Sequence, residues 1–427
     1  MPDPAPPRID LPSPSLVVLV GASSSGKSTF AARHFRPDEV LGSDAMRAWL
    51  SGDETDQSVT GEAFGSLHRA ASARLTQGRL TVIDATSVRP RDRLALVQLA
   101  RAHDLPAVAV VFDLPRSVLE ARHAARPDRP FGSDVILRQL SDLRRTQGGL
   151  TQEGFRHVWT LRSEAEVNAA QVTPVPLRVD RRDLSGPFDV IGDVHGCLSE
   201  LRALLLRLGY CLDGGQVSPP SGRTAVFLGD LVDRGPDSAG VLRLVMGMVS
   251  AGTALCLPGN HEEKVARALD GKAVKLVHGL DATLAQIEAG GSAFRREVRA
   301  FIGSLPSHLV LDGGRLVVAH AGLPEPYHGR TSGRVRSFAL FGDVDGTRDE
   351  LGFPVRRDWA AGYAGAALVV YGHTPHTAPR WVGNTVNIDT GCAFGGALTA
   401  LRYPERETLS LPAQAVYAVL ARPLPPP

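Results

Sequence analysis

Two sets of residues in this chain have the types and spacing of phosphate chemistry. The first is Gly21-Ala22-Ser23-Ser24-Ser25-Gly26-Lys27-Ser28-Thr29, directly after the apolar run Leu16–Val20. Apolar strand, glycine-bounded turn, lysine, hydroxyl and helix together form a phosphate-binding loop. Its glycines permit a tight turn in which the backbone N–H groups of Gly21, Ser23, Ser24, Ser25 and Gly26 point at phosphate oxygens. The helix that starts near Lys27 adds a partial positive charge. Lys27 is expected to reach the β- and γ-phosphates of ATP. Ser28, next to Thr29, is expected to hold Mg²⁺.

The second set is five short blocks: GDVHG with Asp193 and His195, GDLVDRG with Asp230, Asp233 and Arg234, PGNHEE with Asn260 and His261, VVAHAG with His320, and VYGHTPH with His373. Each follows β-branched or leucine residues. In four of them a glycine precedes the polar residues, and in the fourth block of the chain an alanine takes that place. This form predicts ligands on loops at strand ends. Mixed carboxylate, imidazole and amide donors suit Mn²⁺, Fe or Zn²⁺ rather than a thiolate site, and Mn²⁺ leads. Asp193, His195 and Asp230 are assigned to one metal. Asp230, Asn260, His320 and His373 are assigned to a second, with Asp230 bridging. Two such ions about 3.5–4 Å apart can clamp a phosphoryl group and activate water. His261 is expected to protonate the leaving oxygen, and His195 either ligates or acts on the substrate directly. Arg234 can grip phosphate through its fork of donors. Asp233 is expected to orient His261, and Asp389, at the end of VNID, to support the ligands from behind.

Other positions carry two readings. Asp44 follows a short apolar run and either activates an acceptor hydroxyl or caps the next helix. Arg47 can hold an acceptor phosphate. Asp84 can orient Mg²⁺ or cap a helix. Arg122 and Arg126 are one helical turn apart and can close over a transferring phosphoryl group, or form a solvated basic face.

The elements that must position these residues read as α/β. Leu16–Val20, Leu80–Thr86, Ala107–Leu114 and His157–Leu161 are strand-like. Phe64–Gln77 and Arg91–His103 are helical. The predicted organisation is a disordered lead-in over 1–15 and a P-loop kinase domain over 16–171. A linker over 172–187, a calcineurin-like binuclear metallophosphoesterase domain over 188–420 and a proline-rich tail over 421–427 complete it. With 427 residues, two domains are the default. The net charge of +2 neither requires nor excludes nucleic acid. The four cysteines form no CxxC pair, and the N-terminus lacks the regions of a signal peptide. No apolar stretch is long enough for a bilayer. A reduced, cytoplasmic, non-membrane protein is expected, and its oligomeric state is not readable.

Together the two sites resemble the bacterial polynucleotide kinase-phosphatases, which heal RNA ends. The resemblance runs from Leu16 to about Val419. It includes SDAMRAWLSGDETDQSVTGEAF, LPRSVLEARHAARPDRPF and VRSFALFGDVDGTRDELGFPVRRDW. It implies ATP-dependent phosphorylation of 5′-OH polynucleotide ends. It also implies metal-dependent removal of 2′,3′-cyclic phosphate, 2′-phosphate or 3′-phosphate ends. RNA, with DNA as a second option, would be the partner. By motif, Asp44 with Arg47 matches the acceptor-activating region, and Arg122 and Arg126 match the lid arginines. The metal ligands match Asp193, His195, Asp230, Asn260, His320 and His373. Arg336, Arg356 and Arg357 would line a path for the nucleic acid backbone. No KxDG-type lysine motif is present, so either a ligase part has been cut away or sealing falls to a separate ligase. Two other readings stay open: a metabolite kinase fused to a dinucleoside polyphosphate hydrolase, and a serine/threonine protein phosphatase with a nucleotide-binding domain.

Overall fold

The computed structural model describes residues 6–125, 132–213, 216–350, 352, 354–420 and 423–426. The chain divides into two compact units. One comprises Met1–Leu177 with Arg330–Ser332, and the other Arg178–Gly329 with Gly333–Pro427. The architecture is α/β in both.

In the first unit the run before the phosphate loop is buried at every position and forms the central strand, Leu16–Gly21, of a five-stranded sheet. Thr81–Asp84 and Ala107–Phe112 flank it, and Val40–Gly42 and His157–Leu161 are the edges. All pairings in this sheet are parallel. Strands covered by helices on both faces have no solvated side, which is why they read as unbroken apolar runs. Parallel pairing also places the loops after the strands at one end of the sheet, where the phosphate loop lies.

The lead-in and the linker differ from expectation. Arg8–Ser13 is a strand paired in parallel with Gln171–Pro176. Ile9 and Leu11 are fully buried while Arg8 and Asp10 face out. The period-two alternation of RIDL is thus a strand signal, and the surrounding prolines fit because a two-stranded ribbon has free edges. The last part of the expected linker contributes Asp180–Arg181 to a sheet of the second unit.

The second unit is a sandwich of two six-stranded sheets. The first carries Ala254–Cys256, Thr224–Phe227, Phe188–Ile191, Ala397–Tyr403 and Asp389–Thr390 in that order, with Glu407–Pro412 beside Ala397–Tyr403. The second runs Arg380–Val382, Thr385–Asn387, Leu368–Tyr371, Leu316–Ala319, His308–Leu311 and Asp180–Arg181. Side chains alternate between layers. Phe188, Val190 and Val226 meet Leu309, Leu311, Leu316, Val318, Leu368 and Val370 between the sheets. Val310, Val317 and Val369 point the other way, toward the helix Gly333–Phe341. Ile191, Ala225 and Phe227 turn to the helices over the first sheet. Both faces of these strands are therefore dry, and their ends are rigidly placed.

Leu11→Ala tests the corrected lead-in. Loss of a fully buried leucine should lower stability by roughly 2–5 kcal/mol in a denaturant titration. No loss would return the segment to a disordered leader.

Candidate functional site

Each block of the second unit lies just past a strand of the sandwich. Asp193 follows Phe188–Ile191, Asp230 follows Thr224–Phe227 and Asn260 follows Ala254–Cys256. His320 follows Leu316–Ala319, and His373 follows Leu368–Tyr371. These loops converge on the Asp230 carboxylate. Its Oδ2 lies 3.5 Å from His195 Nε2 and 3.9 Å from His261 Nε2, and its Oδ1 lies 3.5 Å from His320 Nε2. His320 Nε2 is 3.2 Å from Asn260 Oδ1 and 3.1 Å from His373 Nδ1. Two trios of donors result, His195–Asp230–His261 and Asp230–His320–His373, each with its ligand atoms within 4.8 Å of one another.

The donor set fits a pair of divalent cations. His195 Nδ1 is 2.9 Å from the Val232 carbonyl, so that nitrogen carries the proton and Nε2 aims a lone pair at Asp230. His261 Nδ1 is 2.6 Å from Asp233 Oδ2, which turns Nε2 to the same place. Lone pairs facing a carboxylate at contact distance repel unless a cation lies between them. His320 and His373 present nitrogens to each other, while His373 Nε2 and Asp193 Oδ1 are buried without hydrogen-bond partners among the described residues. Burial lowers the pKa of His195, His261, His320 and His373, so the imidazoles are neutral ligands at neutral pH. Burial pushes Asp193 upward, with the Asp389 and Asp230 carboxylates adding to it, and pushes Asp230 and Asp389 to about 7. Cations would remove the cause of those shifts. The second unit thus holds a binuclear divalent-metal site, with Asp230 common to both halves.

The arrangement departs from the sequence assignment in one respect. The first trio contains His261 where Asp193 was expected. Asp193 stands beside it, with Oδ2 accepting the His373 N–H at 3.0 Å. Asp233 Oδ2 lies 2.6 Å from His261 Nδ1, and its Oδ1 accepts the Thr283 hydroxyl at 2.6 Å. Arg234 lies over the Phe394 ring at 4.6 Å, and its charge is the second contributor to the lowering at His195 and His261.

Two glycines explain the recurring block form. A Cβ on Gly259 would fall 2.0 Å from Asp230 Oδ1, and one on Gly372 would fall 2.2 Å from Asp193 Oδ1. Only glycine lets the backbone pass so close to the carboxylates. The residue that sequence reasoning passed over is Glu262. It is fully buried and accepts the N–H groups of Asp230, Leu231 and Gly259 at 2.8, 2.9 and 2.7 Å. It therefore ties the Asp230 loop to the Asn260 helix. Its position directly after Asn260-His261 was the available signal. Thr283 left none.

In the first unit Gly26 has φ 91° and Ser24 φ 64°. Lys27 Nζ donates to the Gly21 and Ala22 carbonyls at 2.8 Å, and Ser25 Oγ is 3.4 Å away. Gly26 lies against Arg122, whose Nη1 would be 2.9 Å from a Cβ there, and Arg122 also pairs with Glu164 at 2.8 Å. Ser24, Thr29, Arg33, Arg122, Val167 and Asn168 line a cleft of about 460 Å³. Asp44 lies in the first turn of Ser43–Ser51, whose cap is Gly42, so Asp44 is not the capping residue. It pairs with Arg47, which donates from Nε to the Glu54 carbonyl at 2.8 Å. Asp84 ends its strand opposite Leu19 and Gly42. Arg126 lies outside the described residues.

Fold and site together define a P-loop domain followed by a binuclear phosphoesterase. Residues 16–150 match the AAA domain family, and residues 186–377 match the calcineurin-like phosphoesterase family. A bis(5′-nucleosyl)-tetraphosphatase PrpE (asymmetrical) of Anoxybacillus flavithermus is 46% identical over 234 residues, covering 54% of this chain and 96% of that protein. The protein of the same name from Geobacillus thermodenitrificans is 48% identical over 229 residues, covering 53% and 94%. That from Bacillus subtilis is 46% identical over 234 residues, covering 54% and 96%. The chain belongs to the PrpE-type bis(5′-nucleosyl)-tetraphosphatase family.

These relatives overturn the resemblance to polynucleotide kinase-phosphatases. The RNA-repair assignment falls with it: the 5′-kinase and 2′,3′-phosphatase activities on polynucleotide ends, the RNA or DNA partner and the separate ligase. The physical reason is that the blocks surround the phosphorus under attack and carry no information on its leaving group. Among the described residues no helix is long and apolar enough to cross a membrane.

The carboxyl shifts set a pH test. In the metal-free protein Asp230 and Asp389 titrate near pH 7 when folded and about pH 4 when unfolded. The folded state keeps, up to about pH 7, protons that these carboxyls lose near pH 4 in the unfolded chain, so their contribution to stability falls as pH rises toward about 7 and levels off above it. Below about pH 6.5 the buried histidines act the other way, neutral when folded and protonated when unfolded, so the decline stands alone only between about pH 6.5 and about pH 7.5. Thermal melting should show the decline, and Mn²⁺ should raise the melting temperature more at the upper end. A pH-independent metal effect would contradict the cluster.

Proposed function

We propose that the second unit is a metal-dependent hydrolase of dinucleoside polyphosphates, and that the first is a nucleoside-triphosphate-binding phosphotransferase acting on a small metabolite. The observation that carries the hydrolase reading is a binuclear site sharing Asp230, in a chain 46–48% identical to tetraphosphatases over nearly their whole length. Mn²⁺ suits the carboxylate, imidazole and amide donors. Asp193, through its buried Oδ1, would hold one ion with His195 and Asp230, and Asp230, Asn260, His320 and His373 would hold the other. When bound, the ions polarise the phosphoryl oxygens and lower the pKa of water.

The remaining work falls to the chain itself. Asp230 spans both halves and sets their spacing. Glu262 keeps the loop that bears it from moving. Asp233 holds His261 so that Nε2 faces the reacting phosphoryl group. The leaving group of an anhydride is itself a phosphate, so its demand for a proton from His261 is small. Arg234 takes a phosphate oxygen through its fork. An off-centre cut of a tetraphosphate bridge divides four phosphates into one and three, giving a nucleoside monophosphate and a triphosphate.

For the first unit the support is the complete loop, with Lys27 and the hydroxyl of Ser28 beside an arginine-lined cleft. Lys27 and the loop N–H groups would bind ATP, Ser28 would hold Mg²⁺, and Arg122 would offset the developing charge. Asp44, steered by Arg47, would receive the acceptor's proton.

Lys27→Ala should abolish binding of a fluorescent ATP analogue and leave hydrolysis of bis(5′-adenosyl) tetraphosphate within about twofold. His320→Ala should lower that hydrolysis by about a hundredfold or more and spare nucleotide binding. Chromatography of the products and a binding titration check both. Loss of both properties in each folded variant would contradict separate sites.

A further inference from the structure

The helix Gly333–Phe341 and the paired strands Val344–Arg348 and Pro354–Arg356 stand, in sequence, between the two histidines of the second trio. Their placement is fixed at both ends. Ala321, next to His320, donates its N–H to the Ala339 carbonyl at 2.7 Å. Two residues on from Ala339, the Phe341 carbonyl accepts Arg356 Nε at 3.2 Å. Trp359 then closes the block. It packs flat against Gly322, where a Cβ would lie 2.0 Å from the indole, and meets the Tyr371 ring at 5.1 Å between centroids. Gly322 is two residues past His320 and Tyr371 two residues before His373. The segment with Arg356 is therefore clamped at the rim of the His320–His373 half of the site.

The arginines of this block differ in what they meet. Arg336 is spent on Glu263 at 2.6 Å. Arg356 makes no ion pair among the described residues, and surrounding atoms rather than an acid set its charge balance. Its side chain is exposed to solvent, and the atoms around it lower the pKa of its guanidinium. Its positive charge is felt at His320 and His373 and is not among the contributors at His195 or His261, where Arg234 acts. Arg234 acts on both halves, reaching His373 as well, whereas Arg356 is felt on the His320–His373 half.

We propose that Arg356 is a specificity-determining residue that binds phosphates of the bridging chain remote from the scissile bond. This rests on the dinucleoside polyphosphate reading. A phosphomonoester fills the metal pair and Arg234 and extends no further. A tetraphosphate bridge is longer than the pair and carries several further negative charges, which need a cation at the rim. A guanidinium held by one backbone carbonyl keeps its remaining N–H donors for that purpose.

The test compares wild type, Arg356→Ala and Arg356→Lys on bis(5′-adenosyl) tetraphosphate and on p-nitrophenyl phosphate, with Mn²⁺ present. For Arg356→Ala, kcat/KM on the tetraphosphate should fall about thirtyfold or more, chiefly through KM, and about tenfold further than on the monoester. Arg356→Lys should recover part of the KM. Equal losses on both substrates, or none on the tetraphosphate, overturn the assignment and leave the hydrolase reading standing. A wild-type protein that cleaves the monoester and not the tetraphosphate refutes the substrate reading, and this assignment with it.

Discussion

One carboxylate organises the second unit. Asp230 offers Oδ1 to His320 and Oδ2 to His195 and His261, and so joins the two halves. Such an arrangement is unfavourable by itself, because buried lone pairs and buried carboxylates face one another. The fold holds the groups there regardless. Asp230 has φ 46°, His195 φ 47° and His373 φ 71°, all in the left-handed region that non-glycine residues avoid. The stabilisation that permits this comes from elsewhere: two dry strand layers below, Glu262 across the loops, and glycines where the backbone meets the carboxylates. Bound cations convert the mutual repulsion into coordination.

The same logic assigns the surrounding parts. Residues that touch the phosphorus come from loops at strand ends, where a rigid scaffold sets their positions. Residues that read the rest of the substrate come from what is inserted between those loops. The block from Gly333 to Trp359 is such an insertion, wedged by an indole where a glycine leaves room. In the first unit the division is alike. The loop around Lys27 has the form of a phosphate-binding loop, and Arg33, Val167 and Asn168 shape the cleft beside it.

Much of this was legible in the sequence. The five blocks and the phosphate loop could be placed because each joins a buried apolar strand to a fixed turn chemistry, and both halves of that signal are local. The Arg8–Ser13 strand was missed although RIDL alternates, because the prolines around it were read as disorder. Glu262 was missed because two of the three backbone N–H groups it accepts, those of Asp230 and Leu231, lie on a loop 32 and 31 residues away in the chain. The substrate was misread because the metal-binding residues encode the phosphoryl centre alone. What distinguishes an anhydride from a nucleic acid end lies outside them, and Arg356 is the residue proposed here to read it.

The most direct measurement is the metal content of the purified protein, wild type against Asp230→Asn, by mass spectrometry after Mn²⁺ loading and dialysis. A shared bridging carboxylate predicts about two ions per chain in the wild type and loss of both in the variant. Loss of a single ion, with the other retained at full occupancy, would mean that the two halves are independent sites and that Asp230 does not join them.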